Sequence, residues 1–536
     1  MTLPAGLNSF CKRCKVLSFN DAAHKGFQAT SAHDGEPQLR FHKGGERAKA
    51  FRLDFCLGDH YPDLPNLSKS SAEGCQSCEF IKAAILWEDS RRCIEDLIRI
   101  DLTRRSMVAV EVPRTRFTLQ LQYWWHDHTE SKAEHQGLSC LEILVNLPIS
   151  RTDNTVYIQC PLEYGQGAAG RWLRLQPPIP SPLDGRVVEW MNSKLSDCLR
   201  HRHSTIRPPF CPDRLLDIRQ SVTRLVLKDE VLKEGFERGS LKCSPRYAAL
   251  SYCWGSGRQS EQLKTTKATL AQHRNGISDA EMTPVLRDAI RVAKALEIPY
   301  LWIDALCILQ DADDSSDWVE QCQLMGSIYG SSTVTLRPLA SRCCQEGFLT
   351  PKTLPTLSIP FQSRINPTKN GFYSTYVSHA SITLRNSDKR AWDEERSVLE
   401  TRGWALQESI LPARVLSFGQ SMIDFRCDDG CQLYGHLQSE PNLSTFTIGC
   451  LQRVRGTDQR LIHSYWNDVI VRKASRRNFT KVSDTLPALS GLAKAFRERL
   501  GIDETDYVAG MWKQNLLSDL MWTPNLNRTD RRTAGA

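Results

Sequence analysis

Two Cys-x-x-Cys pairs, Cys11-Lys-Arg-Cys14 and Cys75-Gln-Ser-Cys78, are the first residues whose spacing implies chemistry. Two residues between thiols let both sulfurs reach one ion at about 2.3 Å, so the pairs have the form of two halves of a tetrahedral four-thiolate zinc site. Such a metal is structural, because four sulfurs leave no open coordination position. Cys56, His60 and Cys93 are competing ligands, and buried free thiols are the alternative reading. A second group lies where apolar runs end. Tyr247-Ala-Ala-Leu-Ser-Tyr252 reads as a buried strand that stops at Trp254-Gly255-Ser256-Gly257, where glycine permits close backbone approach to a ligand. Tyr300-Leu-Trp-Ile303 is a second such strand ending at Asp304, an acid able to bind a ribose or to cap the next turn. Trp254 and Trp404 can stack on a ligand ring or fill the core.

These residues need elements to position them. Thr283 and Pro284 open a helix with Leu286, Ala289, Ile290, Ala293 and Leu296 on one face, and Asp317-x-x-Glu320 reads as a capping box for a helix burying Trp318, Cys322, Met325 and Tyr329. Thr333 to Leu336 is a third strand. Strand, helix, strand, helix, strand predicts an α/β parallel sheet with right-handed crossovers, whose ligands bind beyond the carboxyl ends of the strands. Upstream, strand-like runs at Met107–Val112, Arg116–Trp124, Leu141–Val145 and Thr155–Cys160 predict a half-buried antiparallel sheet, with alternation clearest from Phe117 to Tyr123. The polar stretch from Ala29 to Ala48 reads as loop, the Pro-rich 176–182 as a linker and 201–209 as a break. Gly165-Gln-Gly-Ala-Ala-Gly170 matches a dinucleotide-binding pattern but lacks the helix that pattern requires.

Composition bounds the function. At 536 residues, with 40% hydrophobic and 24% charged, the chain is globular, with length for about three or four domains. The net charge of +8, from 69 basic and 61 acidic residues, gives no clear sign of nucleic-acid binding. No apolar run approaches the roughly 18 residues of a membrane-spanning helix, and the N-terminus lacks a signal-peptide pattern. A cytoplasmic location is expected, and in a reducing compartment the 19 cysteines read as packing residues or ligands rather than disulfides.

Three ordered blocks resemble the heterokaryon-incompatibility (HET) domain family of filamentous fungi. They are Tyr247-Ala-Ala-Leu-Ser-Tyr-Cys-Trp-Gly255, Leu301-Trp-Ile-Asp-Ala-Leu-Cys-Ile-Leu-Gln310 with Trp318, Gln321, Met325, Ile328 and Tyr329, and Thr401-Arg-Gly-Trp-Ala-Leu-Gln-Glu408 with Arg414 to Leu416. A looser likeness extends to Asn478-Phe-Thr480, Asp484, Ala488-Leu-Ser-Gly491 and Gly510-Met-Trp512. Leu309 and Arg337-Pro338 depart from the family's pattern, the latter interrupting an apolar stretch. Relatives of this kind mediate non-self recognition and trigger cell death. The family is also thought to look like TIR domains, some of which cleave NAD with a catalytic glutamate. By that analogy Glu408 is the catalytic candidate, with Trp254, Gly255, Asp304, Arg402 and Trp404 as ligand-binding residues.

The layout expected is multidomain: a Cys-rich module over 1–100, an antiparallel β region over 101–205, a parallel-sheet, TIR-like HET domain over 247–409, a C-terminal β-hairpin and mainly helical region over 410–522, and a disordered tail over 523–536 that suggests a curtailed chain. Two functions from different classes stay open: a nucleotide-consuming enzyme for which NAD is substrate rather than cofactor, or a non-catalytic module that signals by self-association with incompatibility proteins or with its own copies. A zinc-dependent nucleic-acid-binding regulator is a third.

Overall fold

Apolar side chains at every second position build an antiparallel sheet from the N-terminal part of the chain. A computed structural model describes residues 10–23, 26–31, 37–41, 48–104, 112–126, 137–149, 154–175, 181–200, 210–237, 245–257, 261–349, 355–377, 379–381, 394, 397–419, 423–434, 448 and 463–520. Strands β1 (Phe27–Ser31) and β2 (Pro37–Phe41) pair antiparallel. Part of the stretch expected as loop is therefore strand, anchored by buried Leu39 and Phe41. Next come β3 (Ala48–Tyr61), β4 (Thr115–His126), β5 (Gly137–Asn146) and β6 (Thr155–Gly167), which start the first large sheet, separate from that pair, in which β4, β5 and β6 each pair antiparallel with the strand before. Phe117, Leu119, Leu121, Tyr123 and Trp125 of β4 are all buried, the side-chain period of two giving one core-facing surface. Most of the runs at Met107–Val112 and 176–182, and all of 201–209 and 523–536, lie outside the described residues.

The second large sheet holds the short apolar strands. It begins with the hairpin β7 (Arg214–Asp217) and β8 (Arg224–Leu227), then β9 (Tyr247–Leu250), β10 (Tyr300–Trp302) and β11 (Val334–Arg337). The helix Pro284–Ala295 lies between β9 and β10, and the helix Ser316–Ser331 between β10 and β11. Thr283 precedes the first helix but makes no side-chain cap. Asp317 is not a capping residue either, for it pairs with Arg214 of β7 at 2.5 Å and accepts the Leu309 N–H at 2.7 Å. Trp318 and Cys322 are only half-buried, while Met325 and Tyr329 face the core.

The chain then returns to the first sheet. Strands β12 (Thr356–Gln362) and β13 (Asn370–Tyr376) add to β6, and β14 (His379–Ser381) pairs with β6 as well. Side chains alternate along β12, with Leu357, Ile359 and Phe361 buried and their neighbours outward. Finally β15 (Arg414–Phe418), β16 (Ile423–Cys427) and β17 (Gly430–Leu433) complete the second sheet, whose order is β17-β16-β15-β11-β9-β10-β7-β8.

This topology corrects the expected parallel-sheet, TIR-like fold. The seven-stranded sheet is antiparallel throughout, and in the eight-stranded sheet only the pairings β15·β11, β11·β9 and β9·β10 are parallel. Hairpins close both of its edges: β7–β8 on one side, β16–β17 on the other. The repeating strand–helix spacing from 247 to 337 shows the parallel centre but not these flanking pairs, which are only four or five residues long.

The segment after Cys14 joins the returning strands to the first sheet. The Leu17 carbonyl accepts the hydroxyls of Tyr123 (2.5 Å) and Tyr373 (2.9 Å), and Ser18 Oγ donates to the Pro360 carbonyl at 2.8 Å. Buried Asp21 accepts Trp172 Nε1 at 3.0 Å, Arg364 N at 2.7 Å and the Ser363 hydroxyl. Removing this carboxylate leaves three donors without an acceptor in a water-poor site. Asp21→Ala is expected to lower unfolding free energy by about 3–5 kcal/mol. Guanidinium denaturation measures it, and a loss below about 1 kcal/mol contradicts the latch.

Candidate functional site

The parallel strands end in loops that carry polar side chains to one place. Ser251 follows β9, with its N–H bonded to the Leu336 carbonyl of β11 at 3.0 Å. Trp254 lies three residues on, half-buried, and Gly255 takes a φ of 99°. Asp304 opens the single turn Asp304–Cys307 after β10. Its two carboxylate oxygens accept the Trp254 indole N–H at 3.0 Å and the Ala305 N–H at 2.7 Å. Glu408 arrives on the short helix Ala405–Ile410 and is only 4% exposed. The Ser251 hydroxyl donates to it at 2.5 Å.

Arg402 supplies a positive charge near both carboxylates. Its guanidinium donates to the Tyr252 carbonyl, and its charge is felt by both Glu408 and Asp304. Burial raises the proton affinity of Glu408, against the pull of Arg402 and the Ser251 hydrogen bond, and the nearby Asp304 charge adds to the rise. Burial likewise raises Asp304, with Arg402 and the Ala305 N–H opposing. Burial disfavours the Arg402 cation too, yet Glu408 and Asp304 more than offset it and its pKa goes up. Tyr329, whose hydroxyl donates to the Leu250 carbonyl at 3.0 Å, faces the same group, and burial followed by the Glu408 charge keeps it protonated. Two carboxylates of raised proton affinity beside one fixed cation can trade a proton or face a developing positive charge.

Of the residues singled out from sequence, Trp254, Asp304, Arg402 and Glu408 thus meet. Trp404 faces elsewhere: its indole N–H donates to Asp484 at 3.3 Å and its ring lies edge-on to Trp318, centroids 6.0 Å apart. Sequence reasoning missed Ser251, hidden in an apolar strand run.

It also missed a buried ionic knot. Arg337, fully buried at the end of β11, donates to one oxygen of Glu400, and Arg477 donates to the other. Burial works to raise Glu400, but Arg477 and Arg337 outweigh it and draw the carboxylate from 4.5 to about 2. The Arg337-Pro338 interruption of an apolar run is therefore a structural anchor. Arg477 Nη1 also donates to the Arg402 carbonyl at 2.8 Å. Asn478 then pairs along the same segment, its N–H to the Thr401 carbonyl at 2.6 Å and its carbonyl from the Gly403 N–H at 2.9 Å. Gly403 is glycine because the Phe479 ring occupies the space where a Cβ would stand, 2.0 Å away.

Residues 247–408 match the family described as heterokaryon incompatibility protein (HET). The chain carries a HET domain. Neither the curated proteins nor the solved structures offered a match. The HET match ends at Glu408, yet Arg477, Asn478 and Phe479 grip the Arg402 loop from beyond it and Asp484 holds Trp404. Close packing of Gly491 on Gly326, where a Cβ on either would lie 3.1 Å from the other's Cα, seats the helix Pro487–Leu500 against the helix Ser316–Ser331.

A separate cluster lies in the N-terminal part. The Sγ atoms of Cys11, Cys14, Cys75 and Cys78 all fall within 4.8 Å of one another and could hold a metal ion. The Cys11–Cys78 and Cys14–Cys78 separations are 3.9 and 3.6 Å, far longer than a disulfide. A tetrahedron of sulfurs about 2.3 Å from its centre has edges of roughly 3.8 Å, which these match. The Cys11 N–H donates to Cys75 Sγ at 3.3 Å, and hydrogen bonding from Cys14 lowers the Cys78 pKa, while that same bond and burial raise Cys14 and burial raises Cys75. Cys253 and Cys307 are buried in packing roles, with burial raising both thiols to about 12. Cys56 is exposed, away from the cluster's four sulfurs.

Folding lowers the Glu400 pKa, so its ionised form contributes full stability above 4.5 and that contribution drains as pH falls toward about 2. Glu400→Gln is expected to lower stability at neutral pH by about 3–5 kcal/mol, since two arginines are left without their acceptor. The variant should also lose less than the wild type across that acid window. Guanidinium unfolding at a series of pH values checks both, and equal acid losses would count against the knot.

Proposed function

We propose that the HET domain cleaves the nicotinamide–ribose bond of NAD, and that this chemistry carries a non-self signal toward growth arrest or cell death. One observation supports the reading above others: Glu408, Asp304 and Arg402 lie near one another beyond the carboxyl ends of β9 and β10, two strands paired parallel within the mixed sheet. In the proposed reaction the bond from ribose C1′ to the nicotinamide nitrogen breaks with its electron pair leaving on nicotinamide. Water adds at C1′ and gives its proton to a carboxylate. Ionised Glu408 faces the oxocarbenium-like charge, Asp304 holds a ribose hydroxyl, and Arg402 keeps the pair from repelling each other.

Burial holds Glu408 protonated above its ordinary 4.5, so the ionised form and the rate both develop as pH climbs through that raised value. Purified protein incubated with NAD is expected to release nicotinamide with an acid limb above 4.5, and Glu408→Gln to lose about 10²-fold or more. Chromatography of the products measures this. No turnover, even with the protein clustered, overturns the reading.

A second reading draws on the low exposure of Glu408 and its bond to Ser251: the carboxylate is structural and the HET domain signals by self-association with its own copies or other incompatibility proteins. Full toxicity of Glu408→Gln on overexpression in a fungal host distinguishes it. For the four-cysteine cluster the reading is structural zinc, supported by the four-sulfur donor set and its spacing. Elemental analysis should find one zinc per chain, with Cys78→Ser losing the metal and melting at lower temperature. A metal-free protein whose melting ignores chelators contradicts it.

A further inference from the structure

We infer that Glu400 and Arg477 are positioning residues for Arg402, so that the reactive group is completed by a stretch of chain outside the HET match. The inference rests on the reading of the Glu408 cluster as the reactive site. Arg402 sits at the exit of the 3₁₀ turn Val398–Thr401, where its own backbone has extended geometry (φ −80°, ψ 134°). Nothing in such a turn by itself fixes the direction of a long side chain, whose rotamer entropy opposes a single placement.

Six hydrogen bonds hold the backbone from which that side chain departs. Ser397 Oγ accepts the Leu399 N–H at 3.2 Å and starts the turn. The Glu400 carboxylate is gripped from opposite sides, by Arg337 from the end of β11 and by Arg477 from the C-terminal region. Arg477 uses its second nitrogen on the Arg402 carbonyl at 2.8 Å, and Asn478 pairs on both sides of that residue. The Arg402 backbone is thereby tied to the sheet end that also carries Ser251, through the Ser251–Leu336 bond one residue before Arg337. Its guanidinium donates to the Tyr252 carbonyl, close enough for its charge to act on Glu408 and Asp304.

A guanidinium can hold Glu400 and the Arg402 carbonyl at once because its donors form a rigid fork. A lysine at 477 keeps the positive charge near Glu400 but presents a single ammonium, which cannot span both acceptors in the same geometry. The groups facing Glu408 are Arg402, Ser251, Asp304 and Arg337, with Tyr329 and Cys253 on neighbouring elements. Among these Arg402 is the cation whose backbone residue 477 holds directly, so a displaced Arg402 leaves Glu408 and Asp304 with less opposing charge and a greater hold on their protons.

The test uses the full chain with Arg477→Lys, which keeps the buried charge, and Arg477→Gln, each confirmed as folded by circular dichroism. With NAD as substrate, Arg477→Lys is expected to lower kcat by about 10- to 100-fold, to change KM little, and to move the acid limb to higher pH. Arg477→Gln should go further in the same direction. A Lys variant with wild-type kcat and an unshifted acid limb overturns the inference while the NAD reading stands. If the wild type releases no nicotinamide, the NAD reading fails and the carbon-13 carboxyl titration of Glu408 is read instead. An upward move in Arg477→Lys then sustains the positioning role, and an unmoved titration overturns it.

Discussion

A cation beside two carboxylates, with Glu408 buried and Arg402 and Asp304 half-buried, is the constraint on which this molecule depends. Taking each such ion from water costs several kcal/mol, and mutual attraction offsets that only when the geometry is held. The two carboxylates show the strain in their raised proton affinity, and Arg402 shows the compensation in its own. Holding the geometry falls to a second buried cluster, in which Glu400 joins Arg337 of the sheet to Arg477 of the C-terminal region. The reactive group and the ionic knot are therefore parts of one electrostatic assembly, and the knot's own carboxylate stays ionised because two arginines surround it.

The same logic explains why the chain is interwoven. The strands β12 and β13 lie within the HET match but complete a sheet built from residues 48–167, and they are locked there by Asp21 and by the Leu17 carbonyl. Cys14 precedes that lock by three residues and belongs to the four-sulfur cluster with Cys75 and Cys78, at the start of the helix Gln76–Leu86. A metal held by these four sulfurs would tie the lock segment to that helix. Among the described residues no helix is long and apolar enough to cross a membrane.

Much of the central geometry could be read from residues alone. Apolar strand runs ending at Trp254 and Asp304 mark the carboxyl ends of β9 and β10, and the alternation from Phe117 to Tyr123 marks a one-sided sheet. The two Cys-x-x-Cys pairs, far apart in sequence, do converge. What stayed hidden has physical reasons. Four-residue edge hairpins such as β7–β8 carry too few side chains to show a period, so a mixed sheet was taken for a parallel one. Arg337 looked like a break because its ion-pair partners, Glu394 and Glu400, lie tens of residues away. Asp317 has the spacing of a capping residue, and only the fold shows that Arg214 claims it. The loose likeness around Asn478 and Asp484 had no visible cause until those residues were seen on the Arg402 loop and on Trp404.

The central claim is that the ionic knot and the reactive group form one energetic unit. A double-mutant cycle on unfolding free energy, with Glu400→Gln, Arg402→Gln and the pair together, tests it most directly. The two single losses should fail to add by about 1 kcal/mol or more, because releasing the loop already frees Arg402 from its carboxylates. Additivity within about 0.3 kcal/mol would show that the two clusters are independent and contradict the account.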